Sequence, residues 1–311
     1  MLDRKRELRH IVMSQQFDRE LLRSLFARAL HFRGGRNGMN FSGRTLITLF
    51  YEASTRTRLS FERAMLLLGG NCIGTENAKE FSSAVKGESI EDTARVISEY
   101  GDVIVLRHTD DYAAAKMAQY ASIPVINAGC GRIGQHPTQA LTDLFTIEDH
   151  RGTINGVNIA VVGDLKNGRT VRSLVYLLGK YEGVKVTFVS PEELRVESDI
   201  PEYLTRHGVA YRETDSLAEV IETVDVVYTT RVQRERIEGL EEEKFAYLQR
   251  AYRIDAPLAH RMREDAIIMH PLPRNDELDQ SVDALPQARY FEQARNGLYI
   301  RMALLEYVLA A

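Results

Sequence analysis

Cysteine is nearly missing from this sequence. Cys72 and Cys130 are the only two in 311 residues, too few and too isolated for a disulfide framework or a cysteine-based metal site, and suited to a reducing cytoplasm. An excess of charge of one sign is missing too. The 40 Lys and Arg residues face 44 Asp and Glu, for a formal net charge of −4. No global field therefore draws the chain toward nucleic acid or an anionic membrane, and any basic site must be local. Long apolar runs are lacking, since stretches such as 266–269 are strand-sized and too short to span a bilayer. The charged start Met1-Leu2-Asp3-Arg4-Lys5-Arg6-Glu7 is not followed by the apolar stretch of a secretory signal. Repeats, low-complexity tracts and long linkers are also lacking. What is present is a 44% hydrophobic content in a chain longer than the about 250 residues at which single cores stop growing. Two domains are expected.

After a first helix, with Asp18 as N-cap and Phe17 and Leu22 spaced as a hydrophobic staple, strand and helix patterns alternate. Candidate strands are 45–50, 71–74, 103–107, 124–127, 157–162, 184–189, 226–230 and 266–270. Helical spacing recurs between most of them, as at 58–68, where Phe61, Met65 and Leu68 share a face and Gly69-Gly70 ends the run. The pattern predicts an α/β chain of two doubly wound domains, each a mostly parallel sheet flanked by helices. Residues 137–150 read as a helix followed by the turn-rich Arg151-Gly152-Thr153-Ile154-Asn155-Gly156. We therefore divide the chain into 1–136 and 137–291, with a C-terminal helix at about 292–311, helically spaced at Ile300, Leu304 and Val308, packing back on the first domain.

The polar residues gather after the strands. Ser54-Thr55-Arg56-Thr57-Arg58 follows a strand and opens a helix, where free N–H groups, the helix dipole, two further hydroxyls and two guanidiniums all suit a phosphate. A plain capped helix with solvated arginines is the other reading of any single pair of these residues. Arg107-His108 ends the apolar run at 103–106, where ligands of open α/β sheets collect, and an Arg in a surface ion pair is the other reading of the same residue. Gly129-Cys130-Gly131-Arg132-Ile133-Gly134 matches a dinucleotide fingerprint. However, Glu148 and Asp149 fall inside a helix instead of ending the next strand about 20 residues on, so that reading is rejected. A glycine loop delivering His136 and Gln139, with Pro137 at the first helical position, accounts for the same residues. Cys130 reads as a buried thiol. In the second half, Gly163-Asp164-Leu165 with Arg169-Thr170, then Arg231 and Gln233, then His270-Pro271-Leu272-Pro273-Arg274 repeat the theme. Strand ends in both halves deliver basic, amide or hydroxyl groups, which suits one anion-binding cleft.

Across nearly its whole length the chain resembles the catalytic chains of the aspartate carbamoyltransferase family. The most specific segments are Phe50-Tyr51-Glu52-Ala53-Ser54-Thr55-Arg56-Thr57-Arg58, His136-Pro137-Thr138-Gln139, the Gly163 to Thr170 motif and His270-Pro271-Leu272-Pro273-Arg274. The resemblance implies transfer of the carbamoyl group of carbamoyl phosphate to L-aspartate, early in pyrimidine synthesis, with no metal or organic cofactor. It implies that Ser54, Thr55, Arg56, Thr57 and Arg107 bind the phosphate. Thr57, Arg107 and His136 act on the carbonyl oxygen, with His136 as donor and not nucleophile, and Arg56 stands with them as catalytic. Gln139 and the carbonyls of Leu272 and Pro273 hold the carbamoyl NH2, while Lys86, Arg169, Arg231 and Gln233 bind aspartate. It further implies a homotrimer in which Ser82 and Lys86 enter a neighbour's site, although Ser83 beside Ser82 keeps that serine ambiguous. On residue chemistry alone, Lys86 reads as part of a mobile surface loop. Association with regulatory chains or a dihydroorotase-like partner stays open.

Two alternatives compete. An ornithine carbamoyltransferase would have Cys in the His-x-x-Gln segment and a His-Cys-Leu-Pro segment. This chain has Thr138 and Pro271, and offers Arg231, Gln233 and Arg236 where a cationic substrate would be repelled. A non-catalytic scaffold should have lost substrate-contacting residues, yet those that can be placed are all present.

Overall fold

The computed structural model describes residues 8–36, 38–233 and 242–310, so Arg236 lies outside the described residues. The chain forms two compact units, Met1–Thr142 with Arg295–Ala311, and Asp143–Ala294. The division thus falls within the helix Pro137–Arg151.

The first unit contains β1 (Thr45–Phe50), β2 (Asn71–Glu76), β3 (Val103–Arg107) and β4 (Val125–Asn127), all parallel in the order β2-β1-β3-β4. The second contains β5 (Asn158–Val162), β6 (Lys185–Val189), β7 (Ala210–Thr214), β8 (Val226–Thr229) and β9 (Ile267–Met269), parallel in the order β7-β6-β5-β8-β9. The inner strands are buried almost end to end, as befits parallel sheets covered on both faces. Ile47, Leu49, Ile104 and Leu106 join one core, and Ala160, Val162, Val227 and Ile268 another. The expectation of two helix-flanked parallel sheets is met.

In each sheet the chain runs outward on one side of its first strand and then returns to the other side. The reversal lies between β1 and β3 in the first unit and between β5 and β8 in the second. At such switch points the loops after neighbouring strands part and leave room for a ligand. The registers bring their ends together: Phe50 pairs with Arg107, and Val162 with Thr229.

Asp18 caps the first helix, Arg19–Arg33, accepting from the Leu21 N–H at 2.8 Å. The C-terminal helix begins at Tyr290, earlier than the spacing of its apolar residues indicates, and runs to Leu309. From Arg295 onward it belongs to the first unit. There Glu306 takes a two-point contact from Arg28 at 2.6 and 2.8 Å and the Met39 N–H at 2.9 Å, and the Arg301 guanidinium lies 5.3 Å from the Phe61 ring centre. Burial pushes the Glu306 carboxyl up, but the Arg28 contact and the Met39 N–H bring it below its usual range. One strand escapes the sequence pattern. β7 has no buried residue and is made a strand by its pairing with β6.

Candidate active site

At the first switch point, Ser54 is the N-cap of the helix Thr55–Leu67, but its side chain makes no capping hydrogen bond. Its Oγ instead accepts from Arg107 Nη1 at 3.3 Å, so the cap does not consume the first-turn N–H groups. Thr57 is buried on that turn. Arg107 extends from the end of β3 and is steadied by Glu52 at 3.3 Å and by its own carbonyl, which accepts the Tyr51 N–H at 2.8 Å. The two guanidiniums of the turn differ. That of Arg56 has no hydrogen bond or ion pair among the described residues. Arg58 is held by Glu62 at 2.8 Å and Glu76 at 2.7 Å, which raise its pKa. The expectation that both arginines serve an anion is therefore corrected: Arg58 ties its helix to β2. His108 also turns inward, its Nδ1 accepting the Asp110 N–H at 2.9 Å and its ring meeting Tyr51 edge-on, and burial lowers its pKa.

β4 leads into the glycine loop, which ends at the buried His136. The imidazole lies against Gly129, whose φ is +103°; a Cβ there would stand 2.9 Å from His136 Cδ2. Thr138 Oγ1 is 3.3 Å from His136 Nδ1. The His136 carbonyl accepts the N–H groups of Gln139 and Ala140, opening the helix that carries Gln139. Cys130 is buried, and burial followed by the Glu62 charge pushes Cys72 up to about 11. The Cys72 thiol therefore lacks the depressed pKa of a nucleophile.

Lys86 and Ser82 lie in the segment after β2. Ser82 Oγ bonds the Ala78 carbonyl and accepts from the Ala84 N–H, while the Ser83 hydroxyl bonds Glu88. Lys86 is exposed, flanked by Phe81 and Val85 at 77% and 63% exposure.

At the second switch point, Gly163 turns the chain at φ +111°, and a Cβ there would fall 2.3 Å from the Thr230 carbonyl. Asp164 is buried and accepts the Asn167 N–H at 3.0 Å, the Asn167 side-chain amide, and the Gln233 N–H at 3.2 Å. Gln233 Nε2 in turn donates to the Asn167 carbonyl at 3.0 Å. Arg169 begins the helix Arg169–Leu178, and Arg231 follows β8. After β9, His270 Nδ1 accepts the Leu272 N–H at 2.7 Å, so Nε2 carries the proton and donates to Glu277 at 2.9 Å. Burial pushes the Glu277 carboxyl up, but this bond and the Asn275 N–H bring it below its usual range. Leu272 sits at φ +54°, and its bond to Pro273 is cis. Arg274 is bound by Asp283 and Tyr290, and so braces this loop instead of facing a ligand.

Within the first unit, then, Ser54, Thr55, Arg56, Thr57, Arg107, His136 and Gln139 all follow the carboxyl ends of strands in one sheet. Within the second, Arg169, Arg231, Gln233, Leu272 and Pro273 do the same. Residue patterns missed the groups that hold these side chains: Glu52 for Arg107, and Asp164 with Asn167 for Gln233. An acidic residue inside an otherwise basic turn was the available signal for Glu52.

Residues 9–149 match the model of the aspartate/ornithine carbamoyltransferase carbamoyl-P binding domain, and residues 155–308 that of the Asp/Orn binding domain of the same family. The chain is 51% identical to the chloroplastic aspartate carbamoyltransferase of Arabidopsis thaliana over 98% of its own length and 79% of that protein's. It is 46% identical to the aspartate carbamoyltransferase catalytic subunit of Methanopyrus kandleri, over 97% of both chains. The crystal structure of Trypanosoma cruzi aspartate transcarbamoylase in complex with carbamoyl phosphate superposes with a TM-score of 0.91 at 39% identity, covering 97% of this chain and 96% of that one.

Proposed function

The chain belongs to the aspartate/ornithine carbamoyltransferase family, and from that premise we infer that it is an aspartate carbamoyltransferase. It transfers the carbamoyl group of carbamoyl phosphate to the amino group of L-aspartate, giving N-carbamoyl-L-aspartate and phosphate, a reaction of pyrimidine synthesis. The observation that carries this reading is the second switch point, where Arg169, Arg231 and Gln233 follow β5 and β8. Two guanidiniums suit the two carboxylates of aspartate and disfavour the cationic side chain of ornithine.

In this assignment the phosphate of carbamoyl phosphate lies on the N–H groups and hydroxyls of Ser54, Thr55 and Thr57, with Arg56 and Arg107 on its oxygens. Thr57, Arg107 and His136 donate to the carbonyl oxygen. Gln139 and the carbonyls of Leu272 and Pro273 accept from the carbamoyl NH2. The aspartate amine attacks the carbonyl carbon, negative charge grows on the oxygen, and the fixed donors stabilise it. The C–O bond to phosphate then breaks, and a phosphate oxygen takes the amine proton. Positioning of both substrates replaces a bimolecular encounter with an organised one.

We further assign Ser82 and Lys86 to the site of a neighbouring copy in a homotrimer, with Lys86 on its aspartate. The exposed Phe81 and Val85 beside Lys86 support this reading, since large apolar side chains grouped on a surface favour contact with another chain. The low cysteine content favours a cytoplasmic setting. Among the described residues no helix is long and apolar enough to cross a membrane.

The test is phosphate release from carbamoyl phosphate with L-aspartate or L-ornithine as acceptor. Release with aspartate alone is expected. Release with ornithine alone would overturn the substrate assignment, and release with neither would favour a non-catalytic role.

A further inference from the structure

The loop that carries His136 is fastened at both ends to one stretch near the start of the chain. At its beginning, Asn127 donates its backbone N–H to the Ile11 carbonyl at 2.7 Å and its side-chain amide to the Val12 carbonyl at 2.9 Å. The same side chain accepts the N–H groups of Gly129 and Cys130, both at 2.9 Å. At its end, Gln135 Oε1 accepts the Ser14 N–H at 2.6 Å, and Gln135 Nε2 donates to Gln15 Oε1 at 2.7 Å. Consecutive residues 121 and 120 positions away thus take up both ends of one amide.

The fastening stretch is itself braced. Gln16 Oε1 accepts the N–H groups of Val12 and Met13 at 2.8 and 3.1 Å, and its Nε2 donates to the His10 carbonyl at 2.6 Å. Ile11 donates to the Val125 carbonyl at 2.8 Å and bridges Ile126 in parallel, so the stretch lies along the outer edge of β4. Three of the seven residues between Asn127 and Gln135 are glycine. Such a loop has much conformational freedom unless its ends are held.

We propose that residues 11–15 form a clasp that sets the position of His136, with Gln15 and Gln135 as positioning residues for carbamoyl transfer. The proposal rests on the assignment of His136 as a donor to the carbonyl oxygen. Stabilisation of a growing oxyanion depends steeply on where the donor stands, so a small displacement costs rate. Gln135 is bonded directly to His136 in the chain. Releasing its side chain frees the loop on the side from which His136 is supported, whereas the phosphate turn hangs on β1 and β3. Loss of the clasp should therefore lower kcat more than it weakens carbamoyl phosphate binding.

The experiment compares Gln15→Met, which keeps the stem but loses the acceptor, with Gln15→Glu, whose carboxylate still accepts from Gln135. His136→Ala and the double variant with Gln15→Met complete a cycle, with kcat, KM and Tm measured on the full chain. Gln15→Met should lower kcat about tenfold with little change in carbamoyl phosphate KM or Tm, and Gln15→Glu should recover most of the loss. In the His136→Ala background, Gln15→Met should cost almost nothing further. An unchanged kcat in Gln15→Met, or an equal loss with and without His136, overturns the clasp. An unchanged kcat in His136→Ala overturns the role of His136 itself, and the clasp's role with it.

Discussion

Arg56 and Arg58 stand two positions apart on one helical turn and meet different surroundings. Arg58 lies between Glu62 and Glu76, whereas the Arg56 guanidinium has no partner among the described residues. A cation that the fold leaves without a partner beside free helix N–H groups is more readily available to an anion than one held between two carboxylates. Arg56→Ala should thus lower kcat about 10²- to 10³-fold with little change in Tm, while Arg58→Ala should lower Tm and spare more of the rate. Steady-state kinetics and thermal unfolding of the two variants check this, and near-normal turnover in Arg56→Ala would remove it from the site. Residue identity marked the turn as anion-binding but could not tell the two arginines apart. The acids that engage Arg58 lie 4 and 18 positions along the chain, and only folding brings the second one near.

Among the elements, the loops after β5 and β8 show how close backbone approach restricts sequence. Gly163 has φ +111° and its Cβ position faces the Thr230 carbonyl at 2.3 Å, while Gly152 has φ +73° and open space around it. Alanine at either position carries the left-handed penalty of about 1–2 kcal/mol, but only at Gly163 must the neighbouring backbone just after β8 also move. Gly163→Ala should lower Tm more than Gly152→Ala and should weaken aspartate binding, because Gln233 hangs on the adjoining Asp164. Equal Tm losses in differential scanning calorimetry would refute this. The strands most visible in sequence are the buried ones, where apolar runs such as 103–106 announce themselves. β7, Ala-Tyr-Arg-Glu-Thr at the sheet edge, has no apolar face to reveal it and is held by hydrogen bonds to β6. Helix ends were legible where a side chain caps them, as Asp18 does. Ser54 occupies the cap position but turns its hydroxyl to Arg107, so a residue suited to capping is held by Arg107 instead of closing its own helix end.

At the scale of the whole molecule, the proposed trimer makes each site depend on a neighbour's Ser82 and Lys86. Two inactive variants damaged in different parts of the site then become informative together. Mixing Arg56→Ala chains with Lys86→Ala chains should restore part of the activity once subunits exchange, since some mixed sites draw both intact residues from different chains. Exchange followed by mass spectrometry with no recovered phosphate release would count against shared sites. In the single chain, the exposed Phe81 and Val85 beside Lys86 fit this proposed arrangement.

Alternation of apolar strands with amphipathic helices determined by itself that the sheets would be parallel and helix-covered, because the periodicity of a segment reports its own burial. Hydroxyl, amide and guanidinium residues just past those strands marked the ends proposed here to bind the substrates. The order of the strands was decided only by the tertiary structure. That order creates the two switch points, places Arg107 beside Ser54 and seats Gln233 on Asp164. It also brings residues 11–15 to both ends of the His136 loop. Contacts between residues 53 to 121 positions apart depend on how the chain is threaded, and no local pattern encodes the threading.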